Sequence, residues 1–193
     1  MSMIHIDERI EPNKVENVNS KSINKSLIEW GKFFLVLITS LIIVLNTIGF
    51  TRVSGVSMFP TLNDRDLVFV NKLARYYHEP VLGDVAILHL DSKNFDIVKR
   101  IVGVPGDTVQ ITKGVIYVND LAVPEISTYG VSEDMEKVIV PKNSLFVVGD
   151  NREPGISYDS RSKEFGFIPI SKLKGYVIFS VLPFHKIAKI LKV

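Results

Sequence analysis

The feature that most constrains this chain is an uncharged apolar stretch of 19 residues, from Phe33 to Thr51, rich in Leu, Ile and Val. As an α-helix, at ~1.5 Å per residue, it would reach roughly 28 Å, close to a hydrocarbon core of ~30 Å. Trp30 stands where an interfacial aromatic residue is expected. We therefore predict one membrane-spanning helix over 33–51.

A cleaved signal peptide with a long apolar region is the main alternative for this stretch. It would require a small-x-small exit site after the apolar region, and none is clear before the folded region begins. A buried soluble helix is disfavoured, because no polar residues mark a solvent face.

Basic residues give the orientation of the span. Lys21, Lys25 and Lys32 precede it, whereas Arg52 and Arg65 follow it. This weak positive-inside bias favours a single-pass protein with a cytoplasmic N-terminus and its C-terminal domain outside. We expect three parts: a polar, flexible cytoplasmic tail (1–32), the span (33–51) and a folded extracytoplasmic domain (52–193).

The residues after the span follow a β pattern. Short runs rich in Val, Ile, Phe or Tyr alternate with turn residues such as Pro105-Gly106-Asp107. This predicts a mainly antiparallel β-sheet or barrel-like domain, with 125–136 as a surface excursion. The tail 183–193 suits either a short interfacial helix or a docked terminal turn. The predicted strands are Leu67–Val70, Val85–His89, Ile97–Val104, Thr108–Thr112, Val115–Val118, Lys137–Val140, Leu145–Val148 and Tyr176–Val181.

Composition excludes several classes of function. With no cysteine, the chain has no thiol catalysis, disulfides or cysteine zinc sites. A net charge of +2 without a basic patch argues against nucleic-acid binding. There is no HExxH motif, so a metalloprotease is not expected, and we predict no cofactor. The histidines are scattered, at His5, His78, His89 and His185.

Two motifs carry candidate chemistry. Ser57 lies in SGVSMFPTL (54–62), and Lys99 opens KRIVGVPGD (99–107). A serine hydroxyl needs a base, but a lysine of pKa ~10.4 is deprotonated in only about one molecule in 2,500 at pH 7. Burial among apolar neighbours would lower this pKa. The neighbours of Lys99 are Ile97, Val98, Ile101 and Val102. The alternative is a strand-edge lysine with its amine in water.

A third segment, GDNREPGISYDSR (149–161), is dense in polar residues. It is either a long polar loop closed by ordinary ion pairs, or a brace in which Ser157 hydrogen-bonds the lysine amine. In the second case its charged residues hold the loop in place. These residues are Asp150, Arg152, Asp159 and Arg161.

In the same order, SGVSMFPTL, GDVAI (83–87), KRIVGVPGD and the GDN…SYDSR run resemble the sequence boxes of bacterial type I signal (leader) peptidases. The match covers residues 53–161. The resemblance implies an essentially all-β Ser/Lys endopeptidase that cuts preproteins after small-x-small signal sequences. It also implies a location at the outer face of the bacterial plasma membrane, with secreted preproteins and the lipid bilayer as partners.

The resemblance also implies residue roles. Ser57 matches the nucleophile, Lys99 the general base and Ser157 the serine that orients the lysine. Asp159 and Arg161 match a structural ion pair. The other matched positions are the supporting residues Asp150, Arg152 and Arg100 and the pocket-lining residues Val53, Met58, Leu62, Ile97 and Val98.

Two departures from the family pattern stand out. Gly55 occupies a position where some members have a serine that helps to hold the oxyanion. The oxyanion hole would then depend on the Ser57 backbone N–H, with a second donor such as Ser54. In addition, EPGI (153–156) makes the third motif about two residues longer than the family pattern, which bears on the placement of Ser157.

Three other functions remain to be tested. A self-cleaving Ser/Lys regulator would usually cut an internal Ala-Gly or Cys-Gly bond and carry a DNA-binding domain, and this chain has neither dipeptide. A catalytically silent β domain tethered to the membrane is a second alternative. A Ser/His/Asp arrangement using His78 or His89 is a third.

Overall fold

The computed structural model describes residues 12–187, and the chain divides after Leu45 into two compact units. Helix α1 (Pro12–Thr47) supplies the described part of the first unit, up to Leu45. Its segment Lys25–Thr47 has a mean hydropathy of 2.1, and none of it is buried within the protein. By length and composition this segment is a candidate membrane span, so the predicted apolar helix is confirmed.

The ends of α1 differ from the prediction. Residues 12–32, expected as a flexible tail, are helical, whereas residues 1–11 of that tail lie outside the described residues. At the other end α1 stops at Thr47, and Ile48–Arg52 forms a strand, β1. The backbone of this strand pairs with β2, with Phe50 opposite Phe69. Apolar composition alone does not separate the end of a membrane helix from an apolar edge strand.

The second unit is mainly antiparallel β, as predicted, and contains each of the eight predicted strands. Within the described residues two short 3₁₀ helices, Leu73–Tyr76 and Ile170–Lys172, connect strands. The remaining strands in the described part are β2 (Leu67–Asn71), β3 (Val85–Leu90), β4 (Phe95–Gly103), β5 (Thr108–Thr112), β6 (Val115–Val118), β7 (Leu121–Ala122), β8 (Met135–Ile139), β9 (Ser144–Val148), β10 (Ile168–Pro169), β11 (Leu173–Leu182) and β12 (His185–Lys186).

These strands form two sheets. The larger has the order β1-β2-β11-β3-β4-β9-β10, with β12 pairing with β11, and the smaller has the order β7-β6-β5-β8. Because β12 is a strand, residues 183–187 do not form the interfacial helix considered above, and 188–193 lie outside the described residues. The excursion 125–136 is tied to the third motif by a bridge between Tyr129 and Asn151.

Strand β4 links the fold to the candidate site. It pairs with β3 along residues 95–100, but with β9 only from Arg100 onward. Within residues 12–187, no strand therefore covers the second edge of 95–99. This half of β4 is an open sheet edge, and Lys99 lies at its inner end.

Candidate active site

The segment around Ser57 is a loop between β1 and β2. Leu62 N–H donates to the carbonyl of Met58 at 2.8 Å, and both side chains are buried. Gly55 has φ +95°, a conformation that favours glycine, and its N–H donates to Asp64 Oδ1 at 2.8 Å. Between these fixed points, Ser57 remains half-buried.

Lys99 is buried, with 3% of its surface exposed. Its Nζ donates to Ser157 Oγ at 2.9 Å, and no carboxylate of the described residues forms an ion pair with it. Burial lowers the pKa of Lys99 from 10.5 to about 8. The charges of Asp159 and Asp150 oppose this shift, whereas the charge of Arg161 adds to it.

Ser157 connects Lys99 to a buried acid. Ser157 Oγ donates to Asp159 Oδ2 at 2.5 Å, so its oxygen is left to accept from the lysine. Asp159 also accepts hydrogen bonds from Gly149 N–H at 2.9 Å and Arg161 Nη2 at 2.8 Å. Burial raises the pKa of Asp159, but Arg161, Ser157 and Gly149 outweigh it and the net pKa is lowered.

Gly149 brings the loop of Ser57 against Ser157. A Cβ at position 149 would lie 2.3 Å from the carbonyl oxygen of Ser57 and 2.4 Å from Ser157 Oγ, so the position has room only for glycine. Asn151 extends this contact, because its N–H donates to the Ser57 carbonyl at 3.0 Å. Its side-chain amide donates to the Val56 carbonyl at 3.3 Å. The third motif thus holds the backbone of Ser57 next to the partner of Lys99.

Ser57 and Lys99 line one cavity of about 410 Å³. Within the described residues no hydrogen bond joins Ser57 Oγ to Lys99 Nζ, and Lys99 instead donates to Ser157. The residues that line this cavity are Thr51, Arg52, Val53, Ser54, Ser57, Met58, Ile87, Phe95, Asp96, Ile97, Val98 and Lys99.

Four of the five predicted pocket residues line the cavity, namely Val53, Met58, Ile97 and Val98. Leu62 does not: it is fully buried in the apolar core. The cavity is also lined by Arg52, Phe95 and Asp96, which the motifs did not predict. They stand at strand ends next to named motifs, and only the pairing of strands reveals that they share a cavity.

Arg100 and Asp150 form a fully buried ion pair beside the site. Arg100 Nε donates to Asp150 Oδ1 at 2.7 Å and Nη2 donates to Oδ2 at 2.6 Å, while Nη1 donates to the Gly83 carbonyl at 2.8 Å. Thr61 was missed by the sequence analysis, although it lies within SGVSMFPTL. Its hydroxyl donates to Asp150 Oδ2. Through these hydrogen bonds the pair joins all four motifs.

Arg152 and Arg161 hold the third motif. Arg152 Nε donates to the Gly149 carbonyl at 2.9 Å, and Nη1 donates to Glu125 Oε1 at 2.7 Å. Arg161 Nη1 donates to the Arg152 carbonyl at 2.8 Å. Glu125 lies in the excursion 125–136, whose structural role the sequence analysis did not identify.

The histidines are placed elsewhere. His78 Nε2 lies 2.8 Å from Asp84 Oδ2, in a cavity that contains neither Ser57 nor Lys99. His89 Nδ1 lies 2.7 Å from Asp96 Oδ1. Within residues 12–187 no histidine hydrogen-bonds Ser57, so the geometry gives no support to a Ser/His/Asp arrangement.

Comparison with known proteins places this chain in a family. The family model described as "Signal peptidase, peptidase S26" matches residues 27–182. Signal peptidase I S of Bacillus subtilis (strain 168) is 34% identical over 91% of this chain and 98% of its own length. Signal peptidase I of Bacillus licheniformis is 38% identical over 88% and 97%, respectively.

Among solved structures, a signal peptidase I from Enterococcus faecalis V583 matches with a TM-score of 0.43 and 25% identity. The match covers 51% of this chain and 96% of that structure. On the family model and the relatives in Bacillus, this chain is a member of the signal peptidase family, peptidase S26.

Proposed function

We propose that this chain is a membrane-anchored signal peptidase in which Ser57 attacks the scissile carbonyl and Lys99 acts as general base. Family membership and the apolar helix α1 support signal-peptide removal by a membrane-anchored protease. The assignment of Ser57 as nucleophile and Lys99 as general base rests on one observation. The buried amine of Lys99 is bonded to no carboxylate of the described residues and shares a cavity with Ser57.

The pKa of Lys99 determines what fraction of its amine is neutral and available as a base. At a pKa of about 8, roughly one molecule in ten carries a neutral amine at pH 7. For an exposed lysine the fraction is about one in 2,500. Burial thus raises the available base by roughly two orders of magnitude, before any contribution from positioning.

The open edge of β4 supports an extended mode of substrate binding. A peptide can add to residues 95–99 by backbone hydrogen bonds, as peptides do at other uncovered sheet edges. The side chains of Val53, Ile97 and Val98 would then surround the residues before the cleaved bond. These apolar walls fit the expectation of small, Ala-like residues at a small-x-small site.

The reaction divides into two steps. Neutral Nζ of Lys99 takes the proton of Ser57 Oγ as this oxygen bonds to the carbonyl carbon, and Nζ then gives that proton to the leaving amine. Water, deprotonated by the same amine, hydrolyses the acyl-enzyme and frees Ser57. Since Nζ donates to Ser157 in this structure, Ser157 fixes one N–H and the amine turns its lone pair toward Ser57 when substrate binds.

The oxyanion requires a donor next to Ser57. The backbone N–H of Ser57 donates to no acceptor among the described residues and is therefore available. The bond from Gly55 N–H to Asp64 fixes the loop just before it. Ser54, which lines the same cavity, is the candidate second donor. One such donor is worth about 10²–10³ in rate.

We place the catalytic unit outside the bacterial plasma membrane, behind a single span. The support is the bias of Lys21, Lys25 and Lys32 before the apolar segment. Cysteine accessibility tests this: a cysteine introduced for Ser92, which is exposed, should react with an impermeant maleimide in intact cells. Labelling only after cell lysis would reverse the orientation.

The decisive experiment for the proposed function is cleavage of a preprotein by the full chain in detergent. Ser57→Ala and Lys99→Met should each abolish cleavage at the small-x-small site. Ser92→Ala and Lys142→Met, at exposed positions, are the matched controls and should cleave normally. Cleavage that survives in either Ser57→Ala or Lys99→Met would remove the assigned pair. Failure of the parent chain to cleave any preprotein would favour a silent binding module.

A further inference from the structure

The cavity that holds Ser57 and Lys99 extends beyond the walls assigned to small residues. Its lining also includes Arg52, Phe95 and Asp96, which are exposed. Arg52 ends β1, whereas Phe95 and Asp96 begin β4, so a basic and an acidic residue belong to two different strands that line one cavity. The lining of the cavity therefore carries charges of both signs.

The carboxylate of Asp96 is held in place. His89 is its cross-strand partner, and His89 Nδ1 lies 2.7 Å from Asp96 Oδ1. On its other side, His89 Nε2 lies 3.7 Å from Asp91 Oδ1. Asp96 Oδ2 takes part in no hydrogen bond within the described residues, so one oxygen remains for a ligand.

The guanidinium of Arg52 has no carboxylate partner among the described residues, and the side chain is exposed. Arg52 and Asp96 do not pair with each other either. Each charge is therefore available to a group that enters the cavity between them.

The spacing along β4 indicates which substrate residue reaches these charges. Asp96 precedes Lys99 by three residues, which is about 10 Å along a strand and an odd step, so the two side chains leave opposite faces of β4. An extended peptide beside β4 has the same rise and the same alternation of side chains. If the residue just before the cleaved bond lies next to Lys99, the residue next to Asp96 lies three positions earlier in the peptide. Ile97 and Val98 lie between Asp96 and Lys99 in β4, and both were proposed above to surround the residues before the cleaved bond. The residue next to Asp96 is then the fourth before the cleaved bond.

We propose that Arg52 and Asp96 form a charge-sensitive subsite that reads the side chain of the fourth residue before the cleaved bond. This inference rests on the proposed function, because it uses Ser57 and Lys99 to place the bond. Arg52 favours an acidic or hydrogen-bond-accepting side chain, and Asp96 favours a basic or donating one. Both residues are exposed, so each tunes substrate preference by a modest factor.

The test uses three peptides from one signal-peptide cleavage region, with Glu, Gln or Lys as the fourth residue before the bond. Cleavage by the full chain in detergent gives kcat/KM for each. In Arg52→Glu the Glu-to-Lys ratio of kcat/KM should fall about three- to tenfold, and in Asp96→Lys it should rise by a similar factor. Lys142→Glu and Glu164→Lys change the charge at exposed positions outside the cavity and should leave the ratio unchanged.

A second peptide pair carries the Glu or Lys two residues after the bond, where the ratio should not respond to either variant. If neither Arg52→Glu nor Asp96→Lys moves the ratio while the Gln peptide is still cleaved, the subsite is wrong and the proposed function stands. If Ser57→Ala cleaves the Gln peptide, the proposed function itself fails. If Arg52→Glu slows all three peptides equally, and only with anionic lipid vesicles, Arg52 binds lipid headgroups and the subsite is overturned.

Discussion

Two neighbouring residues in β4, Lys99 and Arg100, are both buried cations with different surroundings. The guanidinium of Arg100 makes two hydrogen bonds to Asp150, and both side chains are fully buried. The amine of Lys99 donates to the neutral hydroxyl of Ser157 instead. The two side chains leave opposite faces of one strand, so a single residue step separates the two environments.

This difference fits the two cations to different roles, namely Lys99 to the proposed role of general base and Arg100 to a structural one. A carboxylate bonded to a buried cation favours the charged form, which suits Arg100 as a fixed part of the core. Without such a partner, burial lowers the pKa of Lys99 to about 8. Asp159 lies one hydrogen bond further away, beyond Ser157, where it orients the hydroxyl while Arg161 balances its charge.

The largest effect on cleavage should come from Lys99→Arg, which puts a guanidinium at position 99 as well as at position 100. A guanidinium stays protonated at any pH at which the protein is folded, so it cannot accept the proton of Ser57. We expect kcat/KM for a preprotein peptide to fall by at least about 10²–10⁴. Lys142→Arg is the control at an exposed position. Activity within tenfold of the parent chain would show that Lys99 is not the base.

The reverse manipulation is Arg100→Met, which leaves the carboxylate of Asp150 buried without its partner. Stability should fall by about 3–5 kcal/mol, measured by urea unfolding of the full chain in detergent. The double variant Arg100→Met, Asp150→Leu should regain much of this loss, because it removes the uncompensated charge. If Arg100→Met lowers the free energy of unfolding by less than about 1 kcal/mol, Arg100 is not the structural cation that this comparison makes it.

Lys99→Met should change the free energy of unfolding less than Arg100→Met does, and in the opposite direction. The pKa of Lys99 is lower in the folded chain (about 8) than in the unfolded chain (about 10.5). Burial of the ammonium therefore destabilises the fold fully below pH 8, decreasingly between pH 8 and 10.5, and not above. At pH 7, Lys99→Met should stabilise the chain by about 1–3 kcal/mol, and the gain should vanish near pH 10.5. A Lys99→Met variant that is less stable than the parent chain at pH 7 would refute the predicted cost of burying the ammonium.

The smallest expected effect is on the pH dependence of cleavage in Asp159→Asn. The charge of Asp159 raises the pKa of Lys99 and that of Arg161 lowers it. Removal of the carboxylate should therefore move the midpoint of kcat/KM against pH to a lower pH than in the parent chain, whatever happens to the maximal rate. Glu164→Gln, at an exposed position, should leave the midpoint in place. A midpoint displaced upward would mean that Asp159 acts in another way.

Much of the β domain could be predicted from the sequence because its signals are local. Strand β2, for example, was predicted at Leu67–Val70 and is observed at Leu67–Asn71. The end of the helix was not predictable, because residues 48–51 continue the uncharged segment and only their pairing with β2 identifies them as part of a strand. Leu62 shows the same ambiguity, since a leucine suits a pocket wall and a core equally well.

The candidate site was partly predictable because its residues lie in compact motifs. The pairing of Arg100 with Asp150 was not, since the two residues are 50 positions apart and only the fold brings them together. The longer third motif did not displace Ser157. Residues 154–156 are exposed, so the extension projects outward and Ser157 still accepts from Lys99 at 2.9 Å.

The state of the Lys99 amine is the point on which the account depends, and NMR of the full chain in detergent can measure it. With ¹³C-labelled lysine, the Cε signal that is absent in Lys99→Met reports this residue alone. We predict that it titrates near pH 8 and that its midpoint matches that of kcat/KM. Titration of Lys99 near its ordinary value of 10.5 would contradict a buried, readily neutralised base.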